Sequence, residues 1–187
     1  MNETKKAPNE IVRLAAILFA FAAVTALLLG LVNGITAPRI AEISAENTRL
    51  AMNAVLPYDG DYVPVEYPGD DATVTGVYQA GEEGYVVQLN VSGSQGMIEM
   101  VVGVKVDGSV SGIGITGHAE TPGLGAVAAA STDAGVAFRE QFVGTTGNLT
   151  VNKDGGTIDA ITGSTVTSRA VTNGVNSAVE AAALLID

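Results

Sequence analysis

The sequence predicts an α+β domain, a mostly antiparallel sheet packed by helices, behind a single N-terminal membrane-spanning helix. Three observations carry the prediction. An apolar run stands near the N-terminus, four Val-, Ile- and Tyr-rich segments separated by Gly and Asp follow in the middle, and a helical repeat of small apolar residues closes the chain. The 187 residues leave room for one domain of ordinary size plus the anchor.

The anchor comes first. Leu14 to Val32 holds only Thr25 and Gly30 outside the strongly apolar set, and at about 1.5 Å per residue it reaches roughly 29 Å, close to the hydrocarbon thickness of a bilayer. A cleavable signal peptide would have a shorter apolar core and a small-x-small site. Here the run ends in Asn33-Gly34-Ile35-Thr36-Ala37-Pro38, a poor site, which favours a retained helix over residues 14–33. Lys5, Lys6 and Arg13 precede it and Arg39 and Arg49 follow, so residues 1–13 are expected in the cytoplasm and the bulk of the chain outside, at the cell (inner) membrane.

Residues 34–71 read as a stalk helix and a linker. Pro38 suits a first helical turn, Ile40, Ile43, Leu50 and Val55 recur on one face, and Pro57 ends the pattern; the helix is either a stalk at the membrane surface or an ordinary part of the domain. Tyr58 to Asp71, with Pro64 and Pro68, reads as a loop. The domain proper, residues 72–187, opens with strands over Thr73 to Gln79, Gly84 to Val91, Met97 to Val106 and Val110 to Thr116, the last two joined by the hairpin signal Asp107-Gly108. Ala126 to Phe142 is helical with a break at Ser131-Thr132-Asp133, where Ser131 or Thr132 caps a second piece. A short strand pair, Leu149 to Val151 and Thr157 to Ile161, flanks Lys153-Asp154-Gly155-Gly156, and a final helix runs from about Val166 to Leu185 through Val171, Val175, Val179 and Ala182.

Composition narrows the function classes. There is no Cys, so disulfides, thiolate metal sites and iron–sulfur ligation are excluded. After Gly34 the chain carries six Lys and Arg against 18 Asp and Glu, a surface that repels nucleic acid and anionic headgroups. No G-x-S-x-G elbow is present, and His118, the only His, cannot make a metal site alone, so a hydrolase reading finds no support. A loop hydrogen bond is the expected role of His118.

Two segments carry the chemistry. Asp159-Ala160-Ile161-Thr162-Gly163-Ser164-Thr165-Val166-Thr167-Ser168 sets five hydroxyls and a glycine at the start of a helical pattern, where backbone N–H groups and the helix dipole favour a phosphate. By itself such a string is also an ordinary capped helix. Gly117-His118-Ala119-Glu120-Thr121-Pro122-Gly123-Leu124-Gly125 lies between a strand and a helix, where ligand loops belong.

Together the two segments resemble the FMN-binding domain family found in the G subunit of Rnf complexes and the C subunit of sodium-pumping NADH:quinone reductases. Asp159 to Thr165 is similar to its attachment motif D-x-x-(S/T)-G-(A/S)-T, and His118 to Gly125 matches H-x-E-T-P-G-L-G throughout. The resemblance spans about Thr73 to Leu185 and the anchor. It implies FMN held covalently as a phosphoester of Thr165, with Thr162, Gly163 and Ser164 shaping the phosphate turn. It also implies that Glu120, Thr121, Gly123 and Leu124 face the isoalloxazine. Lys153 is either a phosphate partner or a solvated turn lysine, and Asp159 either a mark for a flavin transferase or the end of a strand. Ser164 stands where the family usually has Ala, which puts a second hydroxyl beside Thr165.

The implied function is an electron carrier, the G subunit of an ion-translocating ferredoxin:NAD⁺ oxidoreductase complex. Its expected partners are the other subunits of that complex and the transferase that matures it. No catalysis alone and, without a nucleotide-binding G-x-G-x-x-G loop, no hydride exchange with nicotinamide are expected. The alternatives are the corresponding quinone-reductase component, a free-standing extracellular flavoprotein, and a non-redox binding module on a membrane stalk.

Overall fold

The computed structural model describes residues 7–186; Lys5 and Lys6, on which the expected orientation partly rests, lie outside the described residues. The chain divides into two units, residues 1–46 and 47–187. Helix α1 runs over Ala7–Val55. Within it is the one stretch among the described residues long and apolar enough to cross a membrane, with a mean hydropathy of 2.6 over its best window. Pro38 does not start a helix, contrary to the sequence reading: it sits inside α1. A proline there removes one bond to the carbonyl four residues back and crowds it. The residue four back is Gly34, around which a Cβ would meet nothing within 4 Å.

The second unit is an α+β domain, as expected. Its sheet contains β1 (Val63–Val65), β2 (Val74–Ala80), β3 (Gly84–Ser92), β4 (Met97–Lys105) and β5 (Val110–His118), every neighbour antiparallel and the spatial order that of the sequence. The strand β1 corrects the loop reading of Tyr58 to Asp71. It is three residues long and lies at the sheet edge, where Pro64 costs no interior ladder bond.

Both faces of the sheet are covered, which explains why β4 reads as the nearly continuous run Met100-Val101-Val102-Gly103-Val104. On one face Leu89, Val91, Met100 and Val102 pack with Val171, Val175, Ala178 and Ala182 of helix α3 (Thr165–Ala183) and with Phe138 and Phe142. On the other, Val86 and Val101 pack with Met52, Val55 and Leu56 at the end of α1, which therefore belongs to the domain. Glycines make that close approach possible. A Cβ at Gly103 would run into the Val55 carbonyl at 2.6 Å, and one at Gly112 would lie 3.1 Å from Val55 Cα. The helix end is satisfied by Ser111 of β5, whose Oγ donates to the Val55 carbonyl at 2.6 Å, and by Tyr62 just before β1, whose hydroxyl donates to that of Leu56 at 2.7 Å.

Gly112 to Gly117 has the literal spacing G-x-G-x-x-G, but it lies within β5 and not in a strand-to-helix turn, so it is no exception to the missing nucleotide loop. Two further expectations are corrected. The first half of the helix expected over Ala126 to Phe142 is only a 3-10 turn, Gly125–Ala128, before α2 (Asp133–Glu140). Arg139 Nη1 donates to the carbonyls of Ala128 and Ala130, at 2.6 and 3.0 Å, which a continuing α-helix would have used. Thr132 caps α2, as anticipated, accepting from Gly135 N. The strand pair at Leu149 to Ile161 reduces to a single parallel bridge, Val151 to Ile158, because a 3-10 turn over Asn152–Asp154 carries the chain round instead of back along itself.

Candidate functional site

The first turn of α3 is built by its own hydroxyls. Ser164 N donates to the Ile161 carbonyl at 2.9 Å, closing a turn that Gly163 completes at φ 76°, a conformation costly for any residue with a Cβ. Ser168 Oγ donates to the Ser164 carbonyl at 2.9 Å and accepts from Ile161 N at 3.0 Å, locking the turn to the helix. The Ser164 side chain caps nothing. Consequently the backbone N–H groups of Thr165, Val166 and Thr167 meet no acceptor among the described residues, and they point out of a 19-residue helix with its dipole behind them.

Glu120 holds the neighbouring loop against this turn. Its carboxylate is buried, 6% exposed. Oε1 accepts from Ser94 N (2.7 Å) and Gln95 N (3.0 Å), and Oε2 accepts from the Thr167 hydroxyl at 2.6 Å. Glu120 N donates to His118 Nδ1 at 3.2 Å, the loop bond expected of that histidine. The carboxylate fits because Gly93 and Gly125 lie beside it; a Cβ at either would collide with its oxygens. Burial pushes the Glu120 carboxyl up, whereas the bonds from Thr167, Gln95 and Ser94, with His118 nearby, pull it down; the net displacement is below the ordinary carboxylate range. Ser94 and Gln95 enter the site only through the fold, as does the role of Thr167 as a donor to Glu120. The signal in the sequence for Ser94 and Gln95 is a polar pair between Gly93 and Gly96 joining two strands.

The result is a cleft of about 360 Å³ whose lining includes Glu120, Thr121, Leu124, Gly163, Ser164 and Thr165. These six expected site residues are brought together. Gly123 and Thr162 instead line a second cleft of about 620 Å³ with Val127, Phe138, Gln141 and Asp159. Leu124, 45% exposed, lines the first cleft and lies against the turn, since a Cβ on Gly163 would lie 3.1 Å from its Cδ2. Asp159 is tied to Asn152 and Gln141 by its side chain and backbone. Lys153 is exposed on the 3-10 turn and lines neither cleft.

The hydroxyls of the run are unequal. Those of Thr167 and Ser168 are engaged, Ser164 is buried, and Thr162 opens on the second cleft. Thr165 is partly exposed, lines the first cleft and has no hydrogen-bond partner among the described residues. A free hydroxyl beside three unpaired N–H donors fits a phosphate ester, and Leu124 offers apolar surface for a flat ring.

Residues 93–180 match the FMN-binding domain family, and residues 1–55 match the family of the RnfG N-terminal region. The chain is 34% identical over 182 residues to the G subunit of the ion-translocating oxidoreductase complex of Methanosarcina acetivorans, covering 92% of this chain and 94% of the relative. It is 35% identical over 187 residues to the G subunit of the Na⁺-translocating ferredoxin:NAD⁺ oxidoreductase complex of Acetobacterium woodii, covering 90% and 89%. It is 46% identical over 100 residues to the G subunit of the proton-translocating ferredoxin:NAD⁺ oxidoreductase complex of Clostridium ljungdahlii, about half of each chain.

Proposed function

We propose, because the chain belongs to the family of G subunits of ion-translocating oxidoreductase complexes and carries their FMN-binding domain, that it is a membrane-anchored electron carrier with FMN esterified to Thr165. The observation that carries this reading is the Thr165 hydroxyl, without a partner of its own among the described residues and set beside the open N-terminus of α3. Bound there, FMN supplies a centre that accepts and donates electrons singly or in pairs.

The residues of the chain divide the work. In maturation Thr165 would supply the hydroxyl: its Oγ would form the bond to the FMN phosphorus of a flavin dinucleotide held by a transferase, the P–O–P link would break with AMP as the leaving group, and the hydroxyl proton would pass to solvent. The N–H groups of Thr165 to Thr167 would hold the phosphate oxygens, and Gly163 keeps the turn narrow enough to expose the hydroxyl. Leu124 and Thr121, which line the cleft, would offer the ring an apolar contact and a hydrogen bond. Glu120 positions the loop, its carboxylate held by Ser94, Gln95 and Thr167 while it lines the same cleft as Thr165. Intact-mass analysis of the full chain made with the transferase should show one FMN per chain, on the peptide containing Thr165, and Thr165→Ala should abolish it. An adduct that persists in Thr165→Ala, mapped to Ser164 or Thr162, would refute the assignment.

The partners on this reading are the membrane subunits of the complex. The domain lies outside the cytoplasm, on the strength of the basic flank before the span. Protease added to intact spheroplasts should digest the domain and spare cytoplasmic controls; a protected domain would reverse the topology.

A further inference from the structure

An ester on Thr165 places a negative charge in a domain already rich in carboxylates, and the helix N-terminus offers only partial charge against it. A full cation stands one turn along. Thr165 and Arg169 are four residues apart on α3, hence neighbours on one face, and Arg169, which does not line the cleft while its fork is held by Asp154, needs only a side-chain rotation toward the N-terminus to approach the turn that presents Thr165. In the structure its Nε and Nη2 grip the two oxygens of Asp154, each at 2.5 Å, with the side chains 46% and 35% exposed. Asp154 is the last residue of the 3-10 turn that also carries Lys153, the cation to which the sequence motif points first.

We propose that Arg169 is the cationic ligand of the phosphate on Thr165, and that Asp154 occupies its guanidinium fork while the hydroxyl is free. This rests on the reading of Thr165 as the attachment residue. The planar fork that now takes two carboxylate oxygens matches two phosphate oxygens equally well. The exchange is cheap, because an ion pair this open to water contributes little to stability. Asp154 is thus a competitor for Arg169 and not its support. Its carboxyl is held below the usual range chiefly by the bond from Arg169, so it is charged at neutral pH and competes throughout.

The competition gives the two members of the pair opposite signs. Full-length wild type, Arg169→Gln, Arg169→Lys and Asp154→Asn are incubated with flavin dinucleotide and the transferase, and FMN incorporation is timed by intact mass. Arg169→Gln should slow incorporation roughly tenfold, Arg169→Lys less, while Asp154→Asn matches or exceeds the wild-type rate. The ³¹P resonance of the loaded protein should shift in Arg169→Gln. If the pair is only a strut, both neutral variants break it alike. A slowed Asp154→Asn together with a slowed Arg169→Gln, or an Arg169→Gln at the wild-type rate, would overturn the proposal. Wild-type protein that takes no flavin on Thr165 would instead sink the attachment reading, and this inference with it.

Discussion

Glu120 accepts three hydrogen bonds from two distant segments, the turn between β3 and β4 and the first turn of α3, and so fixes the loop that runs from it to Gly125. Bonds to a charged, buried acceptor are worth about 1.5–3 kcal/mol, more than a neutral pair provides. Because the folded carboxyl titrates below its ordinary value, its contribution is fully present above the unfolded pKa and is lost as pH falls through the folded one. Glu120→Gln keeps the shape and one acceptor but loses the charge. Urea unfolding at pH 7 should therefore show it less stable by about 1–3 kcal/mol. The gap should close as pH drops below about 4.5. A gap that stays constant down to pH 3 would mean the carboxylate is not held by these donors.

At the scale of elements, the local signals and the long-range ones separate. Strands β2 to β5 and helix α3 are legible in the sequence within a residue or two, because hairpin glycines and the Val171-Val175-Val179 repeat are written in adjacent residues. The edge strand β1 is not, since Pro64 reads as loop until a partner strand is known, nor is α1 through Pro38, where helix on both sides overrides a single lost bond. The bridge at Val151 and Ile158 reads as a strand pair because two apolar triplets around Gly-Gly do not reveal direction. Most of the site can be named from two motifs, yet the donors that Glu120 binds at Ser94 and Gln95 lie 26 and 25 residues away in sequence. The glycines under α1 are equally silent, since their reason is the Val55 backbone on the far face. Gly103→Ala should push the end of α1 off the sheet and cost about 1–3 kcal/mol, as overpacking does. A thermal melt of the full chain lowered by several degrees would bear this out, and an unchanged melt would show that the helix end is not seated there.

For the molecule as a whole, charge and topology decide which electron donors it can use. After Gly34 only six basic residues face 18 acidic ones, and within the domain Arg139 is spent on the carbonyls of Ala128 and Ala130. Such a surface repels anionic nucleotides and favours docking to basic patches on protein partners. A dinucleotide site of the doubly wound type would use a glycine turn between a strand and a helix N-terminus to approach a pyrophosphate. The string Gly112 to Gly117 has the spacing but is used otherwise: it lies in β5, with Gly112 and Gly114 packed beneath Val55. The open N-terminus of α3 suits a phosphate, and the proposed flavin would occupy it. The loaded protein should therefore receive electrons from neighbouring cofactors and not by hydride transfer from NADH. In stopped flow the purified, flavin-loaded protein should bleach readily with dithionite and slowly or not at all with NADH alone. Rapid stoichiometric bleaching by NADH would require a nicotinamide site on this chain and would replace the relay reading with that of a self-contained reductase.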